Sequence, residues 1–225
     1  LADANLIYSF KCTNIFKYIF SLTKFYEVLL QQLKTYLAIY SYLLLNSPTH
    51  YSITLMTTAT FKKWNLILGW FTFIIALITY SLTIEPTVSA WDVGEYIATS
   101  VKLEVGHPPG APLFQMLGAF FAMFTSENSE IAKMVNFMSA LASAFTILFM
   151  FWTISNLAEK LALKTSKITE GSYIAILGSS IVGSLAYTFS DSFWFSAVEG
   201  EVYAMSSFLM ALLFWLGLKW ESELH

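Results

Sequence analysis

Between long apolar runs the chain holds one polar stretch, residues 87–112, which carries Asp92, Glu95, Glu104 and His107. Ionisable groups beside membrane-length apolar segments persist where water, a substrate or a partner meets them. The apolar runs themselves fix the fold class. The chain is 56% hydrophobic and 12% charged, with a mean hydropathy of +0.61, whereas soluble domains carry about 25% charged residues. A soluble fold of 225 residues has no interior large enough for this much apolar surface. The expectation is an all-α, polytopic transmembrane helical bundle with the lipid bilayer as its first partner.

Charge and cysteine usage remove other classes. A net charge of −3 argues against a nucleic-acid partner. The single cysteine, Cys12, excludes an intrachain disulfide framework and a cysteine metal cluster. Every basic residue is a lysine, so any phosphate would be met by point charges rather than by forked guanidinium groups.

About four spanning helices are predicted, over 64–84, 135–157, 173–189 and 203–218. Each approaches the roughly 20 residues that a bilayer requires. Trp64 and Trp70 supply interfacial aromatics for the first. Gly178, Ser179, Ser180, Gly183 and Ser184 give the third a small-residue face for close helix packing. Residues 111–124 are apolar but too short to span, and read as an interfacial or re-entrant helix. Residues 1–55 differ in texture from the rest and precede Met56. They are expected to be an extension ahead of the natural start, or else a pair of helices near 7–22 and 26–45. The abrupt stop after the last apolar run suggests that 56–225 is the N-terminal part of a longer transmembrane domain.

The positive-inside tendency orients these spans. If 111–124 does not cross, then Lys62, Lys63, Lys160, Lys164 and Lys167 share the cytoplasmic side. The acidic loops 85–131 and 190–202 then share the outer side. Lys102 and Lys133 are the outer-side exceptions and therefore candidates for a role.

Within the first outer loop, Ser89 and Asp92 fit a capping box for a helix over about 90–103. Helical spacing would align Asp92, Glu95, Thr99 and Lys102 on one face, with Val93, Ile97, Ala98 and Val101 opposite. This describes a short amphipathic helix lying on the membrane surface. The sequence around His107 and Pro108 then turns the chain sharply. Paired carboxylates suit general-base chemistry and hard-cation binding, but an acidic solvated face is an equally ordinary reading. The second loop adds Asp191, Glu199 and Glu201 with no basic residue, just before Tyr203. Two acidic clusters at one water–lipid boundary suit a polar site beside lipid, and also suit a plain excess of acids outside.

The motifs W-D-x-G-E (91–95), G-H-P-P-G-A-P (106–112) and S-A-V-E-x-E-V-Y (196–203) occur together in this order. With segments 86–124, 132–153 and 189–209, the chain resembles the N-terminal part of a polytopic membrane family common in Bacteroidetes. That family is related to a eukaryotic transmembrane O-mannosyltransferase of plexin-type receptors and to the wider GT-C glycosyltransferases. The resemblance implies a donor sugar on a polyprenyl phosphate, a protein Ser/Thr or other hydroxyl acceptor, and a site on the outer face of a bacterial inner membrane. It implies Asp92 as general base with Glu95 as its neighbour, acting with inversion at the sugar. It makes His107, Lys133, Glu199, Glu201 and Tyr203 candidates for substrate binding. Lys133 stands where relatives carry an arginine. No protein-built metal site is expected; a divalent ion on the donor phosphate, held by Asp92 and a second-loop acid, is an open alternative. Four spans are fewer than such enzymes need, so this stretch is expected to be inactive alone.

Two other classes stand beside the transferase. A transporter would carry charges within its spans and broken helices at the midplane, yet the central parts of the predicted spans contain no Asp, Glu, Lys or Arg. A non-enzymatic assembly protein would carry the acidic loops without using them.

Overall fold

Residues 131–165 contain no proline or glycine over 35 positions. They fold as one uninterrupted helix around which the rest is arranged. The computed structural model describes residues 57–89, 92–108, 110–165 and 168–224. The expectations for residues 1–55, and the loop position of Lys167, lie outside the described residues. The elements are α1 (Thr58–Leu82), α2 (Val93–Lys102), α3 (Pro112–Ala122), α4 (Ile131–Thr165), α5 (Glu170–Thr188), α6 (Asp191–Ala197) and α7 (Val202–Leu224), with a 3-10 turn at Asn128–Glu130. Among the described residues there is no strand. The all-α bundle expected from composition is the observed architecture.

Three helices, at 58–82, 128–164 and 202–224, are long and apolar enough to cross a membrane; a fourth span results if α5 and α6, bent by 67°, count as one. The chain is an integral membrane protein. At 1.5 Å per residue α4 is about 52 Å long, well beyond a hydrocarbon core of about 30 Å. It therefore carries Lys160 and Lys164 on its own last turns rather than in a loop. α3 has 11 residues, about 16 Å, and is too short to cross.

Local chemistry starts and stops these helices. Thr57 caps α1 by accepting the Thr60 amide at 3.2 Å. Thr169 and Ser172 form a reciprocal capping box on α5, and Pro112 opens α3 where no amide donor is needed. Central α4 packs against α1, α5 and α7, and meets α3 near its N-terminus. One core cluster joins Tyr80, Ala144, Ile147, Leu148 and Phe193. The Tyr80 hydroxyl donates to the Thr188 carbonyl at 2.9 Å, which ties α1 to the end of α5. Of the predicted small-residue face, Ser180 and Ser184 are fully buried, and both bond back to carbonyls of their own helix, so neither leaves a polar group unsatisfied in the core. Gly178 faces open space instead.

Candidate functional site

Both acidic loops meet at one end of the bundle, and Asn136 joins them. It is fully buried near the start of α4 and donates to the carbonyls of Glu85 at 2.7 Å and Thr87 at 3.1 Å. The Glu85 amide in turn donates to the Val198 carbonyl at 3.2 Å. A Cβ on Gly200 would fall 2.9 Å from Asn136 Oδ1, so only glycine lets the second loop come this close. Sequence reasoning missed Asn136. The available signal was an amide inside an apolar span, which is costly in lipid unless paired.

The helix bearing Asp92 and Glu95 is shorter and differently turned than predicted. α2 begins at Val93, and Asp92 is its N-cap residue with no side-chain capping bond. The expected capping box is corrected here: the Asp92 carboxylate faces the His107 imidazole, 3.9 Å from Nε2, instead of the backbone. The predicted apolar face is also corrected. Val93 and Ile97 are buried as expected, but so are Thr99 and Ser100, while Ala98 and Val101 are exposed. Close approach of α3 is the cause. A Cβ on Gly118 would lie 2.7 Å from Ser100 Oγ, so the contact admits only small residues. Gln115 of α3 donates to Thr99 Oγ1 at 3.1 Å and fixes the pair. Val101, Leu103 and Val105 are left exposed, as a surface helix against lipid would present them.

His107 is held by Glu95 at two atoms. Its amide donates to Glu95 Oε1 at 2.7 Å, and its Nδ1 lies 2.8 Å from Glu95 Oε2. Gly106 makes room, because a Cβ there would sit 3.0 Å from Glu95 Oε1. Leu103, in the left-handed region at φ 53°, ends α2 and begins the return of the chain. The backbone amide of His107, then its ring, hold the Glu95 carboxyl below its ordinary range. The hydrogen bond and charge of Glu95, with a smaller contribution from Asp92, raise the His107 imidazole above its ordinary value. The Asp92 side chain is 60% exposed against 39% for Glu95. Asp92 is thus open to an incoming molecule while Glu95 is engaged.

The second loop faces this cluster. Burial raises the Glu201 carboxyl, and the charges of Asp92 and Glu199 raise it further. Glu199 is buried and is likewise raised by desolvation, partly offset by the Ser89 hydroxyl, with Glu85 adding to the rise. Ser89 Oγ nevertheless makes no hydrogen bond of ordinary geometry. Tyr96, also missed from sequence, sits between the loops. Its phenol is raised first by burial, then by Glu201, Asp92, Tyr203 and Glu95. Its ring packs edge-on to Phe114 at 5.5 Å and lies 6.3 Å from the His107 ring. Tyr203 is exposed on the first turn of α7. Lys133 is ion-paired with Glu130 at 3.2 Å, and the basic side chain seated between Asp92 and Glu95 is His107. Among the described residues no three His, Cys, Asp or Glu side chains are grouped to hold a metal ion.

Comparison with known proteins places these residues in context. A family model described as the protein O-mannosyl-transferase TMEM260 N-terminal domain matches residues 92–225. The protein O-mannosyl-transferase tmem260 of Dictyostelium discoideum is 30% identical over 148 residues, covering 64% of this chain and 16% of that protein. The protein O-mannosyl-transferase TMEM260 of Mus musculus is 26% identical over 142 residues, covering 63% of this chain and 18% of that protein. The chain thus spans less than a fifth of the length of these curated relatives. No solved structure matches it.

Proposed function

The chain belongs to the TMEM260 N-terminal domain family, and from that premise we propose that the whole protein transfers a sugar from a polyprenyl-phosphate donor to a protein Ser/Thr hydroxyl. The names of the relatives support an O-mannosyl transfer in general terms. The loops 85–131 and 190–202 face the outer side of a bacterial cytoplasmic membrane in this reading, with the lysine-bearing helix ends inside.

Asp92 is the general base. Its carboxylate removes the acceptor hydroxyl proton as that oxygen attacks the anomeric carbon. The bond from that carbon to the phosphate oxygen breaks, the polyprenyl phosphate leaves, and the configuration inverts. Glu95 is a positioning residue that holds His107 between the two carboxylates. His107 and Lys133 offset the negative charge on the departing phosphate. Glu199, Glu201 and Tyr203 line the acceptor side, and Tyr96 links the two loops. Among the described residues no three His, Cys, Asp or Glu side chains are grouped to hold a metal ion, and the step is written with this chain's own groups.

One observation carries the assignment of roles: Glu95 is engaged at both oxygens by His107, whereas Asp92 is the more exposed acid, too far from His107 for a hydrogen bond. The test compares full-length wild type with Asp92→Asn for sugar transfer from membrane lipid extract to endogenous protein, read by glycan mass spectrometry. The expected result is loss of one specific glycan from a folded, inserted variant. An unchanged profile would remove Asp92 as base and favour a non-enzymatic role in membrane assembly or transport.

A further inference from the structure

A second polar cavity, of about 550 Å³, lies at the opposite end of the bundle among α1, α4 and α7. Its charged lining consists of Lys62, Glu159 and Lys219. Two lysines and one acid line it, so basic side chains are in excess. The neighbouring Lys160 is engaged with Glu221, so Lys62 and Lys219 are the cations that address the cavity.

Asn65 and Asn156 add amide side chains to its lining. The walls are aromatic and fixed. The Trp152 indole donates to the Asn65 carbonyl at 3.2 Å, the rings of Trp152 and Trp215 lie 5.4 Å apart, and Lys219 Nζ stands 6.0 Å from the Trp215 ring. Leu66 continues the surface outward as an exposed apolar residue. Lysines and tryptophans near helix ends mark the headgroup level of a bilayer.

We propose that this cavity binds the headgroup of an anionic, hydroxyl-bearing glycerophospholipid. The phosphodiester lies between Lys62 and Lys219, whose excess charge it neutralises. The headgroup hydroxyls donate to Glu159, and the acyl chains leave past Leu66 and the tryptophans. A zwitterionic lipid brings no net charge to match the site, and a choline headgroup brings no hydroxyl or N–H donor for Glu159. The site is far from the acidic loops and stands whether or not those loops transfer sugar.

The full chain is reconstituted in nanodiscs holding equal parts of phosphatidylglycerol, phosphatidylethanolamine and phosphatidylcholine, and lipid retained after extraction is read by native mass spectrometry. Phosphatidylglycerol is expected to be retained at least about fivefold over the other two. Lys62→Gln and Lys219→Gln should each reduce that preference by about fivefold, Lys62→Arg should preserve it, and Glu159→Gln should strengthen it. Helical content and tryptophan emission verify that each variant is folded. Equal retention of all three lipids, or undiminished retention in the folded Lys62→Gln/Lys219→Gln double variant, overturns the proposal. Glycerol phosphate competing as well as the lipid would also overturn it, by assigning the cavity to a soluble phosphate.

Discussion

At the lysine end of the bundle, charges alternate in sign: Lys62 and Lys219 flank Glu159, and Lys160 pairs with Glu221. At the loop end, Asp92, Glu95, Glu199 and Glu201 come together, with His107 between Asp92 and Glu95. Glu199 is buried there. The first arrangement sets lysines near each acid. The second gathers acids, and buried or crowded carboxylates disfavour their charged forms. Fold stability alone gives no reason to gather acids in this way, whereas a site that must bind and deprotonate does. The contrast therefore separates an end where acids and lysines are set together from an end where acids are gathered, which is what the proposed transfer site would need.

The largest expected effect breaks the contrast at Asp92. Asp92→Asn keeps shape and removes the proton acceptor, so transfer by the full-length protein should fall by about 10²–10⁴-fold. Thermal stability in detergent should stay within about 0.5 kcal/mol of wild type, as for other exposed substitutions. A large stability loss would instead make Asp92 a structural residue.

Next comes the device that brings the acids together. Asn136→Leu removes both hydrogen bonds that hold Glu85 and Thr87 and leaves two part-buried carbonyls without that donor. The expected cost is about 1–3 kcal/mol, since each of the two hydrogen bonds contributes about 0.5–1.5 kcal/mol. Thermal unfolding of purified protein measures it, and an unchanged midpoint would remove Asn136 as the link between the loops.

The bundle was more legible in the sequence than the site. Long apolar runs specify membrane helices almost regardless of context, because lipid leaves backbone groups few alternatives. Residues 111–124 were readable as non-spanning from length alone. The outer loop was harder. Helical periodicity put Ala98 and Val101 inside, yet Ser100 is buried because Gly118 lies across from it, and that contact joins residues 18 positions apart. Asp92 and Glu95 were identified as a pair, but their division into an open and an engaged acid depends on the fold of 103–107 back onto α2. Lys133 was the expected cation, and its pairing with Glu130 is a local i,i+3 contact that helical spacing could have suggested.

A glycine pair sharpens the reading of packing. Gly118→Ala forces a Cβ within 2.9 Å of both side-chain atoms of Ser100, with little freedom to yield. About 1–3 kcal/mol should be lost. Gly178→Ala meets nothing within 4 Å and should be neutral, or gain up to about 1 kcal/mol from helix propensity. Equal effects at the two positions would contradict the close approach of α3 to α2.

The smallest effect concerns pH, and here the loop end divides within itself. Glu199 and Glu201 have raised pKa values, so their protonated forms are favoured by folding. The stability they give is present at low pH and lost as pH rises through their folded pKa values. Glu95, whose pKa is lowered, works oppositely: its contribution is present above the ordinary carboxylate range and lost as pH falls through its folded pKa. His107, raised, contributes fully below about pH 6.5 and loses that contribution as pH rises through its folded pKa. Its Nδ1–H still donates to Glu95 when neutral, but the attraction to Asp92 goes. Glu199→Gln should therefore gain stability over wild type as pH rises from about 4.5, by at most a few degrees in melting temperature. His107→Gln should lose stability relative to wild type on the acid side of about pH 6.5 and approach it above the His107 pKa. Melting curves of the two variants across pH 4–8 should therefore both rise relative to wild type, but from different starting points, about pH 4.5 and about pH 6.5. A coincident pH response would mean that one shared protonation, rather than two differently placed groups, governs this end of the bundle.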